Sequence, residues 1–273
     1  MKITDWLTAN TKTLEAADVP TARLDCLVLL EDLLGKNKAS ILAHMNETLT
    51  SDQLSTLRTQ VENRAKHIPL AFIRGRTEFY GREFIVTENV LEPRPESETM
   101  IDLLKKINKI TTIIDVGTGS GALAITTALE LPHAKTHAID IDPKCLDIAR
   151  KNDAKHRTNI TFHQGDLVDP IPNKILQGAT LLANLPYVPN DYALNQAAMN
   201  EPRIAIFGGK DGLDLYRQLF EQISVKSRPS HILTESLPFQ HQDLRSIALQ
   251  HGYIQTTEDD FIQVFTASEQ LQA

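Results

Sequence analysis

From Thr111 onward, short apolar runs alternate with stretches at helical spacing, and that alternation restricts the fold more than any other feature. The runs cover residues 112–115, 136–140, 160–163, 180–183 and 231–235, and helical stretches separate most of them, notably 122–131, 143–152 and 211–224. Strands joined through helices pair in parallel, and a parallel sheet must be covered on both faces. The expectation is an α/β fold with a doubly wound, mainly parallel sheet. Residues 252–257 and 261–266 read as two further strands joined by the polar Glu258-Asp259-Asp260, a terminal hairpin that adds an antiparallel strand.

The first 67 residues read instead as helices. Leu24, Leu27, Val28, Leu30 and Leu34 recur at helical spacing, with Gly35 as a C-cap. Thr50 and Gln53 have the spacing of a capping box, and Leu54, Leu57, Val61 and Ala65 then form one apolar stripe. No side chain there has an evident chemical role, so a compact bundle that binds a partner is expected. Residues 77–86 form two strand-like runs around Gly81, a hairpin candidate. A helix is expected from Pro95, with Glu96 and Glu98 complementing its dipole. The reading is a helical domain over 1–75, a hairpin linker over 76–92 and an α/β domain over 93–273.

A net charge of −7 offers little to phosphates, and the densest basic pair is Lys105-Lys106, so direct nucleic-acid binding is not expected. There is no apolar run of signal-peptide or membrane-spanning length, and the two cysteines, Cys26 and Cys145, have no redox or metal spacing. The nine histidines show no ligand-like spacing. A cytoplasmic monomer without metal or membrane attachment is the expectation.

Ligands of open α/β sheets bind at the carboxyl ends of the strands. The first such end is Asp115-Val116-Gly117-Thr118-Gly119-Ser120-Gly121, where glycines let backbone approach a ligand and the following helix offers free N–H groups. The second supplies Asp140, about 20 residues on, a carboxylate able to accept from both hydroxyls of a ribose. These two features suit a dinucleotide as well as S-adenosylmethionine. At the third end, Asp166 suits an adenine amino group and Leu167 the face of its ring.

The fourth strand end, Asn184-Leu185-Pro186-Tyr187, separates these alternatives, because Asn-x-Pro-Tyr after an apolar strand suits methyl transfer to planar amide or amino nitrogens. An amide nitrogen is a poor nucleophile, so it must be aligned and its developing positive charge supported. The Asn184 side-chain oxygen can accept one N–H and the Leu185 carbonyl the other. Pro186 holds the residue before it extended, which aims that carbonyl, and Tyr187 would pack its ring on the amide.

With Pro93-Arg94-Pro95, Glu98, Glu201-Pro202, the run Gly208-Gly209-Lys210-Asp211-Gly212-Leu213 and Tyr216, these motifs resemble the release-factor glutamine methyltransferases, the PrmC/HemK family, over nearly the whole chain. Leu185 stands where that family usually has a proline and Ser236 where it usually has a glycine. The terminal hairpin also lacks the family's usual arginine-containing pattern. The resemblance implies a class I, seven-stranded methyltransferase domain using S-adenosylmethionine, and a helical domain that contacts the release factor. Asn184 and Tyr187 would be catalytic, with Leu185 and Pro186 binding substrate. Gly117, Thr118, Gly119, Ser120, Gly121, Asp140, Asp166, Leu167 and Asn184 would hold the cofactor, and the substrate would be the glutamine of a Gly-Gly-Gln loop. Rival readings are a ribosomal-protein glutamine, the adenine amino group of nucleic acid, or an inactive binding module. Arg94, Glu98, Glu201 and Asp211 also have ordinary structural roles open to them.

Overall fold

The structure, a computed structural model, describes residues 1–271. It divides into two compact units, one of residues 1–76 with 194–200, the other of residues 77–193 with the chain from Glu201 onward. Among the described residues no helix is long and apolar enough to cross a membrane.

The first unit packs helices α1 (Ile3–Ala16), α2 (Ala22–Leu34), α3 (Lys38–Ala43), α4 (Ser51–Ala65) and α5 (Leu70–Arg74). Gly35 ends α2 with a φ of 61°, a conformation in which an L side chain is strained. The Thr50–Gln53 capping box is formed in both directions. Trp6, Leu14, Leu30, Leu57 and Val61 share the core, and a buried Asp25–Arg64 pair at 2.6 Å joins α2 to α4. Leu24, expected on the apolar stripe, is exposed, because the buried face of α2 runs through Cys26, Leu27, Leu29 and Leu30.

The second unit opens with strands β1 (Arg76–Phe79) and β2 (Arg82–Ile85). The sequence suggests a hairpin linking the domains here, and in the structure Phe79 and Phe84 are fully buried in a core with Met100, Ile113 and Leu233. Asn152 bonds both the N–H and the carbonyl of Ile85. Burying two phenylalanines contributes about 1.5–3 kcal/mol each, enough to fix the hairpin to this unit. At Pro95 the chain makes a 3-10 turn, Pro95–Ser97, before α6 (Glu98–Leu104). Lys105 lies just past that helix and pairs with Glu130.

The sheet contains, among the described residues, β3 (Thr112–Val116), β4 (Lys135–Asp140), β5 (Thr161–Gln164), β6 (Thr180–Ala183), β7 (His231–Glu235), β8 (Tyr253–Asp259) and β9 (Ile262–Ala267), in the order β5-β4-β3-β6-β7-β9-β8. The first five in that order are parallel, and β9 runs antiparallel between β7 and β8. Helices α7 (Ala122–Glu130), α8 (Pro143–His156), α9 (Asn173–Leu176), α10 (Asp214–Val225) and α11 (His241–Gln250) complete the unit. Strand order reverses between β3 and β6, which puts the binding crevice beside their carboxyl ends. Helix α10 starts three residues later than the sequence pattern suggests, because residues 211–213 form the turn before it.

Candidate active site

The loop leaving β3 is held from three sides. Gly117 and Thr118 donate backbone N–H groups to the Ile139 carbonyl at 2.9 and 2.8 Å. Asp115 caps α7: its Oδ2 accepts from Thr118 Oγ1 at 2.6 Å and from the Ala124 N–H at 3.2 Å. Complete burial pushes the Asp115 carboxyl up to about 7. The Ser120 carbonyl accepts from Asn152 at 2.8 Å. Thr118 and Ser120 therefore brace the loop, while Gly117 and Gly119, at φ 74° and 55°, line a cavity.

Asp140, Asp166, Leu167, Asn184, Leu185 and Pro186 line that same cavity, so the loops after β3, β4, β5 and β6 converge on one space. Thr118, Ser120, Gly121 and Tyr187 do not line it. Asp140 is only 8% exposed. Its Oδ2 accepts from the Gly119 N–H at 2.9 Å and its Oδ1 from the Asp142 N–H at 3.0 Å, which leaves further lone pairs on each oxygen. Burial raises its pKa against those two bonds. Asp142, not Asp140, caps α8 by accepting from the Lys144 N–H. The remaining wall is largely apolar, with Leu91, Ile139, Ile141 and Ile204, and Cys145 and Asn89 also reach it.

Beyond β6 the chain reaches a buried hydrogen-bond cluster that sequence reasoning missed. Asn184 Nδ2 donates to Ser97 Oγ at 2.9 Å and to Glu235 Oε2 at 3.0 Å. Ser97 Oγ donates to the same carboxylate oxygen at 2.5 Å, and Tyr187 Oη donates to Glu235 Oε1 at 3.0 Å. Glu235, at the end of β7, is fully buried, which pushes its carboxyl up to about 7. Tyr216 Oη lies 2.9 Å from the Ala183 carbonyl and 2.5 Å from that of Glu235, tying β6 to β7. The available signal was an acid at a strand's carboxyl end beside the transfer motif.

The glycines of residues 208–213 acquire a physical reason here. A Cβ on Gly208 would meet the Pro186 carbonyl at 2.2 Å, and one on Gly212, at φ 81°, would meet that of Tyr187 at 2.0 Å. Gln240 Nε2 donates to the Tyr187 and Asp211 carbonyls at 2.8 and 2.7 Å, closing the clamp. Gly212→Ala is accordingly expected to destabilise the protein by about 1–3 kcal/mol, as overpacking does, and to slow turnover by displacing the Tyr187 backbone. Thermal melts and kcat together check this. Arg94 pairs with buried Glu201 at 2.6 Å, and Asp211 pairs with Arg217 and accepts from the Leu213 N–H, so these residues have structural work. Burial raises the Glu201 pKa even beside Arg94, and the Arg217 guanidinium holds Asp211 down at about 2.

A doubly wound sheet of this order, with a glycine loop after β3, an acid after β4 and Asn-x-Pro-Tyr after β6, defines a methyltransferase fold. The hMettl16 catalytic domain, solved in complex with MAT2A 3'UTR hairpin 6, shares it at a TM-score of 0.54 and 13% identity, over 80% of this chain and 82% of that one. Residues 5–75 match the PrmC N-terminal domain and residues 107–210 a methyltransferase domain. The release factor glutamine methyltransferase of Koribacter versatilis is 36% identical over 225 residues, 80% of this chain and 80% of the relative. That of Geobacter sulfurreducens is 33% identical, over 79% and 76%. The chain belongs to the release factor glutamine methyltransferase family.

Proposed function

We infer that the protein methylates the side-chain amide nitrogen of the glutamine in the Gly-Gly-Gln motif of peptide chain release factors, using S-adenosylmethionine. The observation that carries this reading is a pair of unused acceptors at the cavity. Among the described residues no donor reaches Asn184 Oδ1 or the Leu185 carbonyl, and both residues line the space. A primary amide has two N–H groups, and two fixed acceptors orient its nitrogen and support the charge that develops on it.

The residues also suit the cofactor. The spare lone pairs of buried Asp140 match a vicinal diol, the apolar wall of Ile141 and Leu167 matches a purine, and Asp166 is an acceptor for its amino group. The two loop glycines leave room for close approach, since a Cβ on Gly119 would meet open space and one on Gly117 only Leu185 Cδ2, at 3.3 Å. Bound S-adenosylmethionine supplies an electrophilic methyl group on a sulfonium. The protein's own part is to hold the diol, exclude water with the apolar wall and align the acceptor nitrogen. The helical unit, matching the PrmC N-terminal domain, is assigned to release-factor recognition.

Two measurements test this. When release factor, a ribosomal protein and DNA are offered together, labelled methyl groups are expected on the release-factor glutamine, and label on either of the others alone overturns the substrate assignment. Asp140→Ala loses charge-assisted hydrogen bonds of about 1.5–3 kcal/mol, so calorimetry is expected to show S-adenosylmethionine binding roughly 10- to 150-fold weaker. Unchanged affinity removes Asp140 from the site.

A further inference from the structure

We propose that Glu235 is a positioning residue for methyl transfer, acting with Ser97 to hold the Asn184 amide in the one orientation that leaves its oxygen for the substrate. This rests on the reading of Asn184 as an acceptor for the substrate amide. The geometry gives the reason. An asparagine side chain is nearly symmetric in shape, and rotation by half a turn exchanges a donor for an acceptor. The Asn184 amide therefore presents oxygen to the cavity only if something inside the protein demands its NH₂.

The two groups facing Asn184 Nδ2 make that demand. Glu235 Oε2 accepts, and Ser97 Oγ has given its single hydrogen to the same Oε2, so toward Asn184 it has only lone pairs. A turned amide would put its oxygen against two acceptors and its NH₂ against a substrate nitrogen. Tyr187 Oη donates to Oε1 and so keeps the carboxylate from rotating, and the short Tyr216 contact holds the Glu235 backbone against β6. Ser97, Glu235 and Tyr216 lie in the interior, with Tyr187 half-buried beside them, and an unmet donor or acceptor there is costly. A buried carboxylate is itself expensive, so its placement behind the transfer motif calls for a function beyond packing.

A glutamine at 235 can do the same work. Its carbonyl can accept from Asn184 and Ser97 while its NH₂ donates to Tyr187 Oη, which is able to accept. A leucine of similar bulk cannot. Glu235→Gln is thus expected to keep kcat for release-factor methylation within about 3-fold of wild type. Glu235→Leu should lower it by about 10- to 100-fold, with S-adenosylmethionine Kd changed less than 3-fold. Because the effect passes through Asn184, Glu235→Leu should cost nothing further in an Asn184→Ala background. Ser97→Ala leaves the carboxylate in place and carries the same cycle if Glu235→Leu does not fold: a several-fold loss of kcat that vanishes in the Asn184→Ala background. A Gln variant as slow as the Leu variant, a Leu variant at the wild-type rate, or losses that multiply in either double variant would overturn the positioning role while leaving Asn184 as acceptor. An Asn184→Ala variant at the wild-type rate would overturn the reading beneath it, and this inference with it.

Discussion

Asn184→Ala is expected to lower kcat for release-factor glutamine by at least about 100-fold, the scale on which misalignment of a transfer is felt. The side chain removed is one of two acceptors at the cavity, and its loss also leaves a substrate N–H unpaired there, at about 1–3 kcal/mol. S-adenosylmethionine affinity should fall much less, because Asp140 and the glycine loop are untouched. Single-turnover labelling beside calorimetry separates the two effects, and a melting curve checks that Ser97 and Glu235 tolerate the missing amide. Transfer at the wild-type rate would remove Asn184 from the mechanism.

Deleting residues 1–75, the helices of the first unit, is expected to have an effect of similar size through recognition instead of chemistry. A variant beginning at Arg76 keeps Phe79 and Phe84 in the core they share with Ile113, whereas a start near Phe84 would discard Phe79 and half the hairpin. If the helical unit supplies a second contact to the release factor, its loss removes an effective-concentration gain of about 100-fold or more. kcat/KM on intact release factor should drop by that factor, while methylation of a short glutamine-containing peptide changes little. Asn200, which bonds the Lys66 and His67 carbonyls, loses those partners, so cofactor Kd and thermal stability are measured alongside. Equal activity of the truncated and full-length proteins on intact release factor rules out the recognition role.

The strand ends were readable because a parallel sheet puts its chemistry at a fixed place: Gly117, Asp140, Asp166 and Asn184 each follow an apolar run, and all four line one cavity. The terminal hairpin was readable from two polar-flanked runs, though which strand enters the sheet was not, since pairing order leaves no local trace. Glu235 is inconspicuous in the sequence because it is one acid after an apolar run, and its meaning lies in Ser97 and Tyr187, 138 and 48 residues away. The glycines of residues 208–213 stand out in the sequence as a motif without a local reason, because the reason is the backbone of a different loop. Thr118 and Ser120 stand in the glycine loop as ligand candidates, and the sequence does not show that Thr118 Oγ1 donates to Asp115 or that the Ser120 carbonyl accepts from Asn152. Hairpin residues 76–85 read as a linker because amphipathic alternation over four residues does not say what the apolar side meets.

The position of β9 has a consequence for synthesis. It is made after every other strand described, yet it sits inside the sheet, and its Ile262 is the register partner of Glu235 while the Phe261 carbonyl accepts from the Ser236 N–H. Until that strand emerges, β7 has an open edge and the carboxylate behind Asn184 lacks one wall. A nascent chain therefore carries every residue of the transfer motif long before it can hold them in working order. A premature stop codon anywhere before residue 262 should yield a product without activity, however complete its list of catalytic side chains.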